Sequence, residues 1–137
     1  MAFTQTQTTS FKAQLYQGVH NLTTDTIKIA LYTGAATLNQ DTAVYTTDNE
    51  VTGTGYTAGG VVMTGVTLNT SGFTAYVNFA NVIFNASVTA RGALIYNASQ
   101  GNKSVAVLDF GSDKTSTNFT ITMPANTSTS ALIRSSN

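Results

Sequence analysis

Acid–base or nucleophilic catalysis in this 137-residue chain would have to be assembled from one histidine, six carboxylates and the hydroxyl side chains, because there is no cysteine. A Ser/His/Asp arrangement must use His20 as its base, yet no serine stands in a G-x-S-x-G turn. The histidine is expected at the end of a single helical pattern, close to the last carbonyls or simply exposed. Paired-carboxylate chemistry could draw on Asp25, Asp41, Asp48, Glu50, Asp109 and Asp113, most of them in loops without a partner pattern. The missing cysteines exclude a disulfide framework, a thiolate nucleophile and the common structural zinc sites. The chain therefore reads as a non-enzyme with no cofactor and no metal.

Some short motifs imitate known chemistry without its context. Gly53-Thr-Gly-Tyr-Thr-Ala58 matches the dinucleotide fingerprint, but a strand rather than a helix is expected after it. Asp109-Phe-Gly111 spells the magnesium triplet of kinases without a glycine loop, a lysine strand or a catalytic loop. Asp48-Asn-Glu50 could offer oxygens to calcium, but the twelve-residue loop spacing is missing and a solvated acidic turn is the simpler reading. Seven Asn-x-Ser/Thr triplets accompany no secretion signal and follow from composition. Arg91 in VTARGALIYN and Asp109 in VAVLDFG each border an apolar strand, so neighbouring strands would let them form an ion pair; the alternative is that each points to water.

The elements that must position these residues follow from an unusual composition. Charged residues make up 9%, against about 25% in ordinary domains, and 26 Thr, 12 Asn and 11 Ser wet the surface instead. Such a chain favours strands and polar turns over helix. We expect an all-β fold, a two-sheet antiparallel β-sandwich (Ig-like or jelly-roll-like) of about seven or eight strands with one short N-terminal helix. Residues 1–9 read as a flexible N-terminal arm and 10–137 as a single domain. Ser10 would cap a helix with Phe11, Leu15, Val19 and Leu22 on one face. Thr26–Thr33 alternates as a half-buried strand, residues 34–60 break periodicity as a long exposed loop, and Val61–Leu68 with Phe73–Phe79 forms a hairpin. Alternation slips between Ala80 and Phe84, where a bulge or a second strand begins, and strands are expected again at 93–96, 104–110 and 119–123, with a short closing strand at 131–134. Formal charge zero and a pI near 6.5 lack the basic footprint that phosphate contacts need, which argues against nucleic acid and anionic membranes. The first residues have no charged or apolar signal region and no run is long enough for a membrane span, so a soluble chain is expected.

Taken together, DTIKIALYTGAATL (25–38), NEVTGTGYTAGG (49–60), TARGALIYN (89–97) and KSVAVLDFGSDK (103–114) resemble a family of small virion proteins of tailed bacteriophages. The likeness runs from about Phe11 to Pro124 and is most specific in TGYTAGG and ARGALIYN. It implies a structural, non-enzymatic role as a capsid cement or decoration protein on the outer capsid surface of the virion, made in the host cytoplasm. The implied partners are the major capsid protein and further copies of the chain, a trimer being one fitting state. Phe3, Tyr45 and Tyr56 are the expected partner contacts, because aromatic side chains in an arm or long loop make good anchors; the alternative is that Tyr45 and Tyr56 pack back on their own domain. A receptor- or carbohydrate-binding β module of a tail fibre is the rival reading of the same composition.

Overall fold

The computed structural model describes residues 3–136. In chain order it contains β1 (Thr6–Gln7), α1 (Thr9–Tyr16), β2 (Ile27–Tyr32), β3 (Val61–Val62), β4 (Thr67–Ser71), β5 (Thr74–Asn78), β6 (Val82–Phe84), β7 (Val88–Asn97), a 3-10 turn at Ala98–Gln100, β8 (Lys103–Ser116), β9 (Phe119–Ile121) and β10 (Ile133–Ser135). The architecture is an all-β, sandwich-like arrangement of antiparallel sheets with one short helix. One sheet has the order β1-β8-β7-β2-β3, a second β10-β5-β4, and a third pairs β6 with β9. The main core joins them: Ile27, Ile29 and Leu31 of β2, with Ala93 and Ile95 of β7, meet Val77 of β5, Phe84 of β6, Phe119 of β9 and Ile133 of β10.

Strand β2 differs from the half-buried strand its alternation predicts. Ala30 and Tyr32, on the face expected to meet water, are fully covered and form a second apolar cluster with Leu94, Tyr96 and Val107. A sheet buried on both faces needs a second cover, and residues 34–60 supply it. They form a long loop with most residues exposed, as expected, but a few of its side chains turn inward. Ala36 and Leu38 are buried in the second cluster with Tyr45 packed against it, and Val51 enters the main core. Backbone bonds stitch this strap to the sheet, from Thr33 N to Asn49 O (2.9 Å), Val51 N to Leu31 O (3.0 Å) and Ser104 N to Ala43 O (2.9 Å). Its few apolar residues are too irregularly spaced to register as a periodic element, yet they suffice for a face already lined by Tyr32 and Tyr96.

The N-terminal segment also departs from expectation. Its first two residues lie outside the described residues, but residues 3–9 are not a free arm. Thr6 and Gln7 pair with Val107 and Ala106 of β8, Phe3 bridges Leu38, and Thr8 N donates to Val105 O at 3.0 Å. The alternation of Thr and Gln is an edge strand's pattern: its backbone pairs while its side chains stay polar. Thr8, not Ser10, caps α1, its hydroxyl accepting from Phe11 N at 3.3 Å. The helix stops at Gln17–Gly18, with Gly18 at φ +73, so Val19 and Leu22 fall beyond it. The expected hairpin is narrower: β3 leaves to pair with β2, and only β4 and β5 form the hairpin, around Gly72-Phe73.

Candidate interaction surface and the clusters that frame it

The most connected carboxylate is Glu50, on the strap. One of its oxygens accepts from Tyr45 Oη at 2.6 Å. The other accepts from Tyr56 Oη at 2.5 Å and from Gly59 N at 2.8 Å. Tyr56 Oη accepts in turn from Leu31 N of β2 (3.0 Å), Tyr96 Oη donates to Gly59 O (2.6 Å) and Tyr32 Oη donates to Thr46 O (2.6 Å). Tyr45 also stacks on Tyr96 with ring centroids 4.7 Å apart. Burial raises the pKa of all four phenols, reinforced by the nearby Glu50 charge, and Tyr96 is pushed up to about 12. The phenols are therefore hydrogen-bond donors that clamp the strap on the sheet. Tyr45 and Tyr56, expected as partner contacts, face inward because Glu50 and the β2 backbone satisfy their hydroxyls, which water would otherwise have to do.

Phe3, the third expected contact, is half-buried against the second cluster. Its ring lies beneath the Arg91 guanidinium, 5.4 Å from centroid to Cζ, and over Gly92, where a Cβ would come within 2.5 Å of ring carbons. Arg91 donates from Nη1 to Asp109 Oδ1, so the structure brings this sequence-derived pair together at the irregular step in the β7–β8 register. Both side chains keep about a quarter of their surface exposed, 26% and 27%, so neither is a buried charge. The Gly111 amide and then Arg91 hold the Asp109 carboxyl below its ordinary range, and Gln5 Oε1 accepts from Asp109 N at 3.0 Å. Arg91 and Asp109 thus fasten the segment that carries Phe3 and Gln5.

His20 is buried rather than exposed. Nε2 bonds Gln14 Oε1 at 2.8 Å, and Nδ1 accepts from Asn97 Nδ2 at 3.0 Å. Asn97 Nδ2 also donates to Asp25 Oδ2 (2.8 Å), as does Asn21 N (3.0 Å). Burial lowers the pKa of His20, with Asp25 opposing. The neutral ring, with Nε2–H donating to Gln14, meets both partners and packs on Phe11 at 4.9 Å. Gly53–Ala58 folds as a turn ahead of β3, with Ser87 N donating to Thr54 O at 2.9 Å. No group of three or more His, Cys, Asp or Glu able to hold a metal occurs among the described residues, and no helix among them is long and apolar enough to cross a membrane.

What the site residues expected from the sequence leave out is a surface. Every Asp, Glu, Lys and Arg lies outside residues 51–90, the segment that builds β3, β4, β5 and β6. Four of its large apolar side chains, Val62, Leu68, Phe73 and Ile83, are exposed, Phe73 to 90%. Strand β4 is exposed along its whole length. Outside this segment the most exposed apolar side chain is Tyr16 of α1, at 93%. On the opposite flank of the β10-β5-β4 sheet, an open groove of about 660 Å³ runs between β8 and β10, lined by Leu108, Phe110, Ile121, Met123, Leu132 and Arg134 among others. The uninterrupted run without charge was the signal in the sequence for this surface. Glu50 was marked by a carboxylate standing between two tyrosines on one loop. Comparison with protein families, curated sequences and solved structures finds no match for the chain.

Proposed function

We propose that this chain is a non-enzymatic structural protein of a tailed-phage particle, a cement or decoration protein that binds the capsid shell and stabilises it. The observation that carries the reading is the charge-free segment 51–90, folded so that Val62, Leu68, Phe73 and Ile83 face solvent. Exposed apolar and aromatic side chains on a segment without charge have the composition of the centre of a protein–protein interface. The resemblance of 25–38, 49–60, 89–97 and 103–114 to small virion proteins supports the same reading, as does a histidine whose ring nitrogens are both engaged. Zero formal charge lets many copies sit side by side without repulsion. Contacts that are individually weak become strong when repeated over a lattice, and a protein that binds only the assembled shell stabilises it by mass action.

The test is addition of the purified chain to emptied shells. A cement protein co-sediments in large copy number and raises the temperature at which shells rupture. Binding to host cells or glycans with few copies per particle would instead identify a tail-fibre module.

A further inference from the structure

Sheet edges are templates for another strand, and folded proteins shield them by shortness, charge, proline or bulges. Among the described residues the edges here are shielded, with one exception. β1 and β3 have two residues each, β6 and β9 three, β10 carries Arg134, and β8 beyond its pairing with β1 carries Asp109, Asp113 and Lys114. β4 has five residues, Thr67-Leu-Asn-Thr-Ser71, all exposed, with no charge, no proline and no break in its register with β5. It is the outermost strand of its sheet.

From this we infer that β4 is a self-association edge, occupied by β4 of a second copy in antiparallel, two-fold pairing. The parity of the hairpin supports it. Gly72 at φ +57 opens a two-residue turn closed by Ser71 and Thr74. The closing pair of such a turn exchanges backbone hydrogen bonds, so alternation along β4 directs the N–H and C=O of Leu68 and Thr70 outward. Pairing about Asn69 sets Leu68 opposite Thr70 of the partner subunit, with both outward sets matched. Leu68, 56% exposed, is flanked in the same step. Both copies present the same uncharged strand, so no charge is stranded by the contact. An isologous contact of this kind closes at two copies. It is smaller than a standard interface, so the dimer is weak in free solution.

Leu68 also belongs to the surface proposed above for shell binding, so self-association is measured on the free chain, without shells. Sedimentation velocity of the full chain, at concentrations up to about 1 mM, should show the mass rising from 14.3 kDa toward twice that value. Leu68→Lys combined with Thr70→Lys should hold it at the monomer mass, whereas Tyr16→Lys, on the exposed helix, should not. In the unmodified chain, hydrogen exchange at the Leu68 and Thr70 amides should slow by about threefold or more on concentration. A wild-type chain that stays monomeric, exchange indifferent to concentration, or a double variant that still associates would overturn the proposal.

Discussion

At the scale of single residues, Glu50 does more for the fold than any other carboxylate. Glu50→Ala removes the acceptor for two phenols and one amide, and should cost about 2–3 kcal/mol, read as a lowered urea midpoint. Glu50→Gln, which keeps one acceptor oxygen, should cost less. The same cluster sets an alkaline limit. Burial holds the phenols of Tyr32, Tyr45, Tyr56 and Tyr96 above the ordinary tyrosine value of 10.0. Above pH 10 the unfolded chain releases these protons first, so stability is complete below pH 10 and falls as pH rises beyond it. Phenolate absorbance from these four should therefore appear together with loss of tertiary structure. His20 sets the acid side with the opposite sign. Its folded pKa lies below 6.5, so its contribution is complete above pH 6.5 and is lost as pH falls through the folded value. His20→Gln should flatten the stability profile just below pH 6.5.

At the scale of elements, the strap and Phe3, just ahead of the edge strand β1, form the second cover of the sheet, and Gly92 is where the N-terminal segment can be released. A methyl group there would come within 2.5 Å of both the Phe3 ring and Leu108 O. Gly92→Ala should cost about 1–3 kcal/mol by overpacking, and proteolysis or hydrogen exchange should report freed residues 3–7. The elements visible in the sequence were those with a regular period. Alternation located β2, and apolar runs located the cores of β7 and β8. The cover was not visible, because Ala36, Leu38 and Tyr45 follow no period and β1 is polar on both sides. For the same reason Tyr45 and Tyr56 read as outward anchors. A tyrosine in a loop has the same local signature whether its hydroxyl meets water or Glu50, and only tertiary pairing decides. Arg91 and Asp109 were legible as a pair because each ends an apolar run on strands that had to be neighbours.

At the scale of the molecule, segment 51–90 carries four large exposed apolar side chains and no charge of its own, with Lys28 beside Val62 and Arg134 beside Tyr76 in the sheets. Association through that surface should depend little on ionic strength, since there is little charge to screen. Affinity for shells should change by no more than about threefold between about 0.05 and 0.5 M salt. Phe73→Asp should weaken it, because the substitution replaces the 90%-exposed ring at the tip of the uncharged β4–β5 hairpin with a carboxylate. The most direct measurement is co-sedimentation of the purified chain with emptied phage shells at those two salt concentrations, with bound copies counted on a quantitative gel. The account predicts saturation at many copies per shell at both salts, and a higher rupture temperature for the decorated shell. No binding, binding confined to low salt, or only a few copies per particle would contradict it.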